Sequence, residues 1–161
     1  MPYIVQENRP YFDNMVVEVL KDGGLYNDEL IYILFEYCKQ CITPSYNNYK
    51  NFCGELNQCA IEIERRTKSR ELSIIDVDSV DPFVFEDRKE LCDEKVAFMK
   101  EADIKVNGDL NYSLYAYAIR NLKSWDFSDF TKQLRLSAKK ITTEILAPYE
   151  DSKIEQNGDV L

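Results

Sequence analysis

Apolar positions recur at three- and four-residue spacing through most of the chain, the period of an amphipathic helix. Over residues 8–21, Phe12, Met15, Val16, Val19 and Leu20 fall on one face, and Asp22-Gly23-Gly24 ends the run. A second helix is predicted over 28–41, stopped before Thr43-Pro44. A third covers 46–68, with Phe52, Leu56, Cys59, Ala60 and Ile63 turned inward. The pattern then starts again over 87–102, 108–122 and 126–147. The last of these carries the stripe Phe127, Phe130, Leu134, Ala138, Ile141 and Ile145. Pro148 is expected to kink or restart the chain, with a short helix over 149–156 closed by Asn157-Gly158. Extended segments over 2–5 and 82–85 precede the two sets of helices. The junction, 73–81, contains the β-prone run Ile74–Val80 and reads as a strand or an extended linker.

The second set of helices repeats the first. Asn27, Leu30, Tyr32, Leu34 and Tyr37 meet Asn107, Leu110, Tyr112, Leu114 and Tyr117 at an offset of eighty residues. Pro2-Tyr3-Ile4 meets Pro82-Phe83-Val84 at the same offset. Beyond the second helix the offset is seventy-eight, pairing Tyr49 with Phe127, Phe52 with Phe130, Leu56 with Leu134, Ala60 with Ala138 and Ile63 with Ile141. A loop two residues shorter explains the change. A tandem duplication is expected, with halves 1–80 and 81–161 sharing one joint core. In each half the middle helix is predicted to open on an Asn N-cap, Asn27 or Asn107, with an acidic residue in its first turn. These helices are apolar on more than one face, which places them centrally in a bundle.

The chain has 161 residues and is 45% hydrophobic, enough for a real core and against disorder. Five glycines and five prolines argue against an all-β fold. A net charge of −9 repels phosphate backbones and anionic membranes, so general nucleic-acid binding is not expected. The complete lack of histidine removes Ser-His-Asp and Cys-His nucleophiles and His-ligated zinc. No stretch approaches the roughly twenty apolar residues of a membrane span, and the amino terminus lacks the basic end and apolar run of a signal peptide. These features lead us to expect a cytoplasmic protein with reduced thiols.

Three stretches together resemble a family of short proteins, one repeat long, from phage and prokaryotic genomes. They are Met1-Pro-Tyr-Ile with Glu7-Asn8-Arg9, Gly108-Asp-Leu-Asn-Tyr112, and the ending Ala147-Pro-Tyr-Glu-Asp-Ser-Lys-Ile-Glu-Gln-Asn-Gly-Asp-Val160. The resemblance covers nearly the whole chain as two copies, and implies no reaction. The first half keeps the opening segment and Arg65-Arg66, a pair that is late in the last helix in the family; its ending has become Ser69-Arg-Glu-Leu-Ser. The second half keeps Asn111-Tyr112 and the Pro-Tyr-Glu-Asp ending, with Thr143-Glu144 in place of the arginines.

Cys38-x-x-Cys41 lies within or at the end of an amphipathic helix rather than before one, and reads as buried hydrophobic packing. Arg65-Arg66 stands among Glu62, Glu64 and Glu71, where self-pairing on a solvated face competes with a paired site for phosphate or carboxylate. Tyr112 and Tyr149 read as core packing or as pocket lining. Asn157-Gly158-Asp159 reads as a helix-ending turn rather than a cation loop. Glu150 and Asp151, adjacent on a helix, point in different directions and suit a surface role.

The expected fold is all-α: two three-helix repeats packed as a pseudo-twofold bundle, a covalent version of a homodimer and itself monomeric. The expected function is non-catalytic capture, by a phage- or mobile-element-type accessory protein, of a host protein or of a small anionic, nucleotide-like signal molecule held between the halves, as a sponge holds it. A purely protein-binding regulatory or assembly module is the alternative, and an enzyme of unrecognised type the third. No cofactor or metal is expected. Candidate ligand-binding residues are Arg9, Arg65, Arg66, Asn111, Tyr112, Tyr149, Glu150 and Asp151, converging as the surviving one of two symmetric sites.

Overall fold

The computed structural model describes residues 29–67, 84, 86–102, 106, 108–123 and 126–158. The first helix, the opening segment 2–5, the junction 73–81, Asn27, Asn107 and Arg9 lie outside them. All regular structure among the described residues is helical: α1 (Glu29–Cys41), α2 (Tyr46–Thr67), α3 (Glu86–Ala102), α4 (Asp109–Asn121), α5 (Phe127–Ile141), a π turn (Thr142–Leu146) and α6 (Ala147–Asn157).

The apolar stripes become the core. Phe52, Leu56, Cys59, Ala60 and Ile63 of α2 are fully buried, and Phe130, Leu134, Ala138 and Ile141 of α5 stand at the matching positions, equally covered. Leu30 and Leu34 of α1 are matched by Leu110 and Leu114 of α4. The correspondence reaches ring geometry. Tyr37 meets Phe52 at 6.1 Å with a 32° interplanar angle, and Tyr117 meets Phe130 at 6.2 Å and 34°. Burying each of these aliphatic or aromatic side chains contributes about 1.5–3 kcal/mol.

Among the described residues, the main helix contacts join the two halves. α2 packs along α5 and against α4; α1 packs against α5 and α3. The paired contacts Tyr49–Tyr149, Cys53–Ala138 and Glu64–Arg135 run in opposite order along the two segments, so α2 and α5 are antiparallel. Polar groups cross between halves as well. Arg88 clamps the buried Glu29 carboxylate with two hydrogen bonds of 3.0 Å, and the Tyr32 hydroxyl donates to Asp93 Oδ1 at 2.6 Å. Lys140, itself buried, lies 4.5 Å over the Phe35 ring and pairs with Glu144 at 2.7 Å.

Two local expectations change. Pro148 does not restart the chain, because helix continues from Phe127 to Asn157. A proline lacks its N–H and crowds the carbonyl four residues back, here Glu144; widening Thr142–Leu146 into a π turn absorbs that strain. The N-cap of α4 is Gly108, at φ 110°, with no side-chain cap of its own. Only glycine adopts that left-handed backbone without strain.

Candidate functional site

The cap that α4 lacks locally comes from the other half. Glu55, on α2, places its carboxylate at the start of α4, where the backbone N–H groups of Gly108 (2.9 Å) and Asn111 (3.2 Å) both donate to Oε1. A negative group there satisfies two otherwise orphaned donors and complements the helix dipole. Oε2 is shielded from solvent and has no hydrogen-bond partner. Burial is the largest influence on this carboxyl and raises its pKa to about 7. The Asn111 and Gly108 N–H groups pull it down, and Asp109 pushes it up. Glu55 therefore titrates near neutrality.

Beside it opens a cleft of about 550 Å3. One wall is a polar face of α2: Lys50, Asn51, Gly54, Glu55, Asn57 and Gln58. Val106 and Gly108 of the second half form the opposite wall. Gly54 sits mid-helix, where glycine costs about 0.5–1 kcal/mol relative to alanine. A Cβ built there would meet no protein atom within 4 Å, so packing does not require the glycine. Lys50 holds its ammonium 5.7 Å from the Tyr46 ring centroid.

The domain of unknown function DUF6899 matches residues 1–70 and again residues 81–160. The chain belongs to the DUF6899 family. Two matches in one chain mean that this member carries the domain twice, in tandem. Among curated proteins and among solved structures, nothing matches the chain.

Of the residues expected to bind ligand in this DUF6899 protein, the described ones do not gather. Arg9 lies outside the described residues. Arg65 is exposed and pairs with Glu62, one turn back on its own helix; Arg66 is exposed beside it. The Tyr149 ring meets Tyr49 edge-on at 5.7 Å, near the opposite end of α2. Sixteen residues separate Tyr49 from Arg65, about 24 Å at 1.5 Å per residue. Because α5 and its continuation run antiparallel to α2, the Tyr149–Asp151 end is carried away from the arginines. Glu150 and Asp151 are exposed, on a helix that buries no residue. Tyr112 packs with Ala116 in a small buried cluster apart from the main core. Among the described candidates Asn111 alone adjoins the cleft, through its backbone N–H to Glu55; its side-chain Oδ1 is buried without a partner.

The pattern of uncharged polar side chains around Gly54 was the signal for the cleft. An isolated glycine inside a strongly periodic helix costs stability and so asks for a reason. Glu55 carried no signal, since a glutamate on a helix face is ordinary until a second helix end arrives at it. Cys38 and Cys41 carry no chemistry of this kind: burial pushes the Cys38 thiol up to about 12 and raises that of Cys41. No group of cysteine, aspartate and glutamate among the described residues could hold a metal ion. Among the described residues, no helix is long and apolar enough to cross a membrane.

Proposed function

We propose that this protein is a non-catalytic binding protein and that its ligand is a small polar molecule held in the cleft between α2 and the start of α4. The space beside Gly54 carries the proposal. A helix-interior glycine stands where no neighbouring protein atom needs the room, inside an open cleft lined by side-chain amides. Among the described residues the lining supplies amides, one carboxyl and one amine, a set suited to hydrogen-bonded recognition rather than to a nucleophile with its base. The cleft draws one wall from each DUF6899 copy, so a single copy does not contain it.

The same proposal includes the architecture, two three-helix repeats about a pseudo-twofold axis acting as one monomer. The matched burial, the duplicated tyrosine–phenylalanine contact and the cross-half packing support it. The resemblance to one-repeat phage and prokaryotic proteins supports an accessory role for it.

A thermal-shift screen of polar metabolites against the wild type and Gly54→Leu tests the cleft. A true ligand raises the wild-type melting temperature in a saturable way and leaves the filled variant unmoved. Stabilisation that survives in Gly54→Leu, or no stabilisation from any compound class, refutes the proposal.

A further inference from the structure

We infer that Glu55 is a proton-operated latch between the two halves: its neutral carboxyl holds the start of α4 in place, and its ionised carboxylate turns out into the cleft and lets that end of the helix loosen. The inference goes beyond the ligand reading, because the latch acts on the fold whether or not the cleft is filled.

The geometry suits a neutral carboxyl. Oε1 has two donors, the N–H groups of Gly108 and Asn111. Oε2 is sealed from water and has none. A carboxylate spreads its charge over both oxygens, so ionising Glu55 in this place buries charge on an atom that nothing solvates. A proton on Oε2 removes that cost and leaves Oε1 to accept the two N–H groups. The second copy offers a comparison. At the offset of seventy-eight residues Gln133 stands where Glu55 does. It is the uncharged isostere of a protonated glutamate, it is buried, and its Oε1 also has no partner. A side chain at this position can gain a charge only in the first half.

The charged form has somewhere to go. Glu55 lines the cleft. Asn51 and Gln58, one turn to either side of it on α2, offer amide N–H groups to a carboxylate on that face, and the exposed Lys50 adds a positive charge. In its buried place the carboxyl meets opposition instead, since Asp109 of α4 disfavours its charge. Cys59, one turn along α2, is fully buried, and burial pushes its thiol well up. Among the described residues, no charged group of α5 or of the π turn, which also pack on α2, acts on Glu55.

Release is felt at α4. Gly108, its N-cap, has no side chain to replace the Glu55 carboxyl, and Gly108 is itself part of the opposite wall of the cleft. Once the carboxylate leaves, the first N–H groups of α4 are orphaned, the helix end frays, and the wall moves with it. The latched form keeps its proton up to about pH 7, whereas a solvated glutamate keeps one only to about 4.5. The latch is therefore favoured at low pH and loses ground as pH rises through that interval.

Amide hydrogen exchange followed by NMR on the full chain, at pH 5 and pH 8 and corrected for the intrinsic pH dependence of exchange, tests this on the wild type and Glu55→Gln. The Gly108 and Asn111 N–H groups of the wild type should be less protected than the Leu134 N–H in the middle of α5, and should lose protection at least tenfold from pH 5 to pH 8. In Glu55→Gln both should be protected equally at the two pH values. Constant protection in the wild type means that the carboxylate caps as well as the acid does, and overturns the latch. Protection equal to that of Leu134 means that this helix end opens only with the whole protein, and overturns it too. Glu55→Gln has the shape of the neutral acid, so loss of protection there at both pH values shows that a neutral side chain does not hold the helix, which also sinks the inference. None of these outcomes bears on whether the cleft takes a ligand, which the melting-temperature screen decides separately.

Discussion

Helices α2, in the first DUF6899 copy, and α5, in the second, make an informative comparison. On their inner faces α2 and α5 are interchangeable: Phe52 and Phe130, Leu56 and Leu134, Ile63 and Ile141 are buried alike. One step round the helix they diverge. α2 carries Gly54-Glu55, a gap and an acid that titrates near pH 7, beside an open cleft. α5 carries Lys132-Gln133. Gln133 is 1% exposed and turns its amide to Asp129 Oδ2 at 3.0 Å on its own helix. These core positions lie in one buried cluster that draws on both helices. Beside these matched positions the copies differ in chemistry, an acid next to a cleft in α2 and a buried amide in α5.

If the halves share one core, separating them has the largest effect. Fragments 1–80 and 81–161, expressed alone, should show little helicity by circular dichroism or should self-associate, and mixing should restore cooperative melting. Two monomeric fragments that each melt cooperatively would end the joint-core account.

Next in size is truncation of the matched phenylalanines. Phe52→Ala and Phe130→Ala should each cost about 3–5 kcal/mol in urea denaturation, because both are fully buried and meet a tyrosine ring in the same geometry. Values differing by more than about twofold would show that the two environments are alike only in outline.

A smaller effect distinguishes Glu55 from Gln133 through pH. The folded-state pKa of Glu55 is raised from 4.5 to about 7, so the native state binds the extra proton between those values. Its contribution is fully present below the unfolded pKa and is lost as pH rises through 7. Glu55→Gln should therefore lose less stability than the wild type between pH 5 and pH 8, whereas Gln133→Ala should keep the wild-type slope. Parallel melting-temperature profiles for wild type and Glu55→Gln would contradict this assignment.

The smallest expected effects concern the neighbouring position. Gly54→Ala should stabilise by about 0.5–1 kcal/mol, since the new methyl meets nothing, and Lys132→Gly should destabilise by a similar amount. Destabilisation by Gly54→Ala would mean that the glycine serves the fold and not the cleft.

Much of this protein was legible from residue spacing. Each described helix begins and ends within a residue or two of the apolar period, apart from the proline-bearing stretch, and the predicted inner faces of α2 and α5 are the observed ones. Helical period and duplicated spacing are local properties, carried by residues three, four or about eighty positions apart, so a single chain displays them. Tertiary structure decided which helices meet. Glu55 and Gly108 stand fifty-three positions apart in the chain, and no period links them. The near-neutral acid, the borrowed cap of α4 and the cleft exist because α2 packs against α4 from the other half. The same packing separates Arg65 from Tyr149, which spacing alone had left free to converge. Antiparallel pairing of two long helices fixes such separations at 1.5 Å for every residue, and only the folded chain sets where that pairing begins.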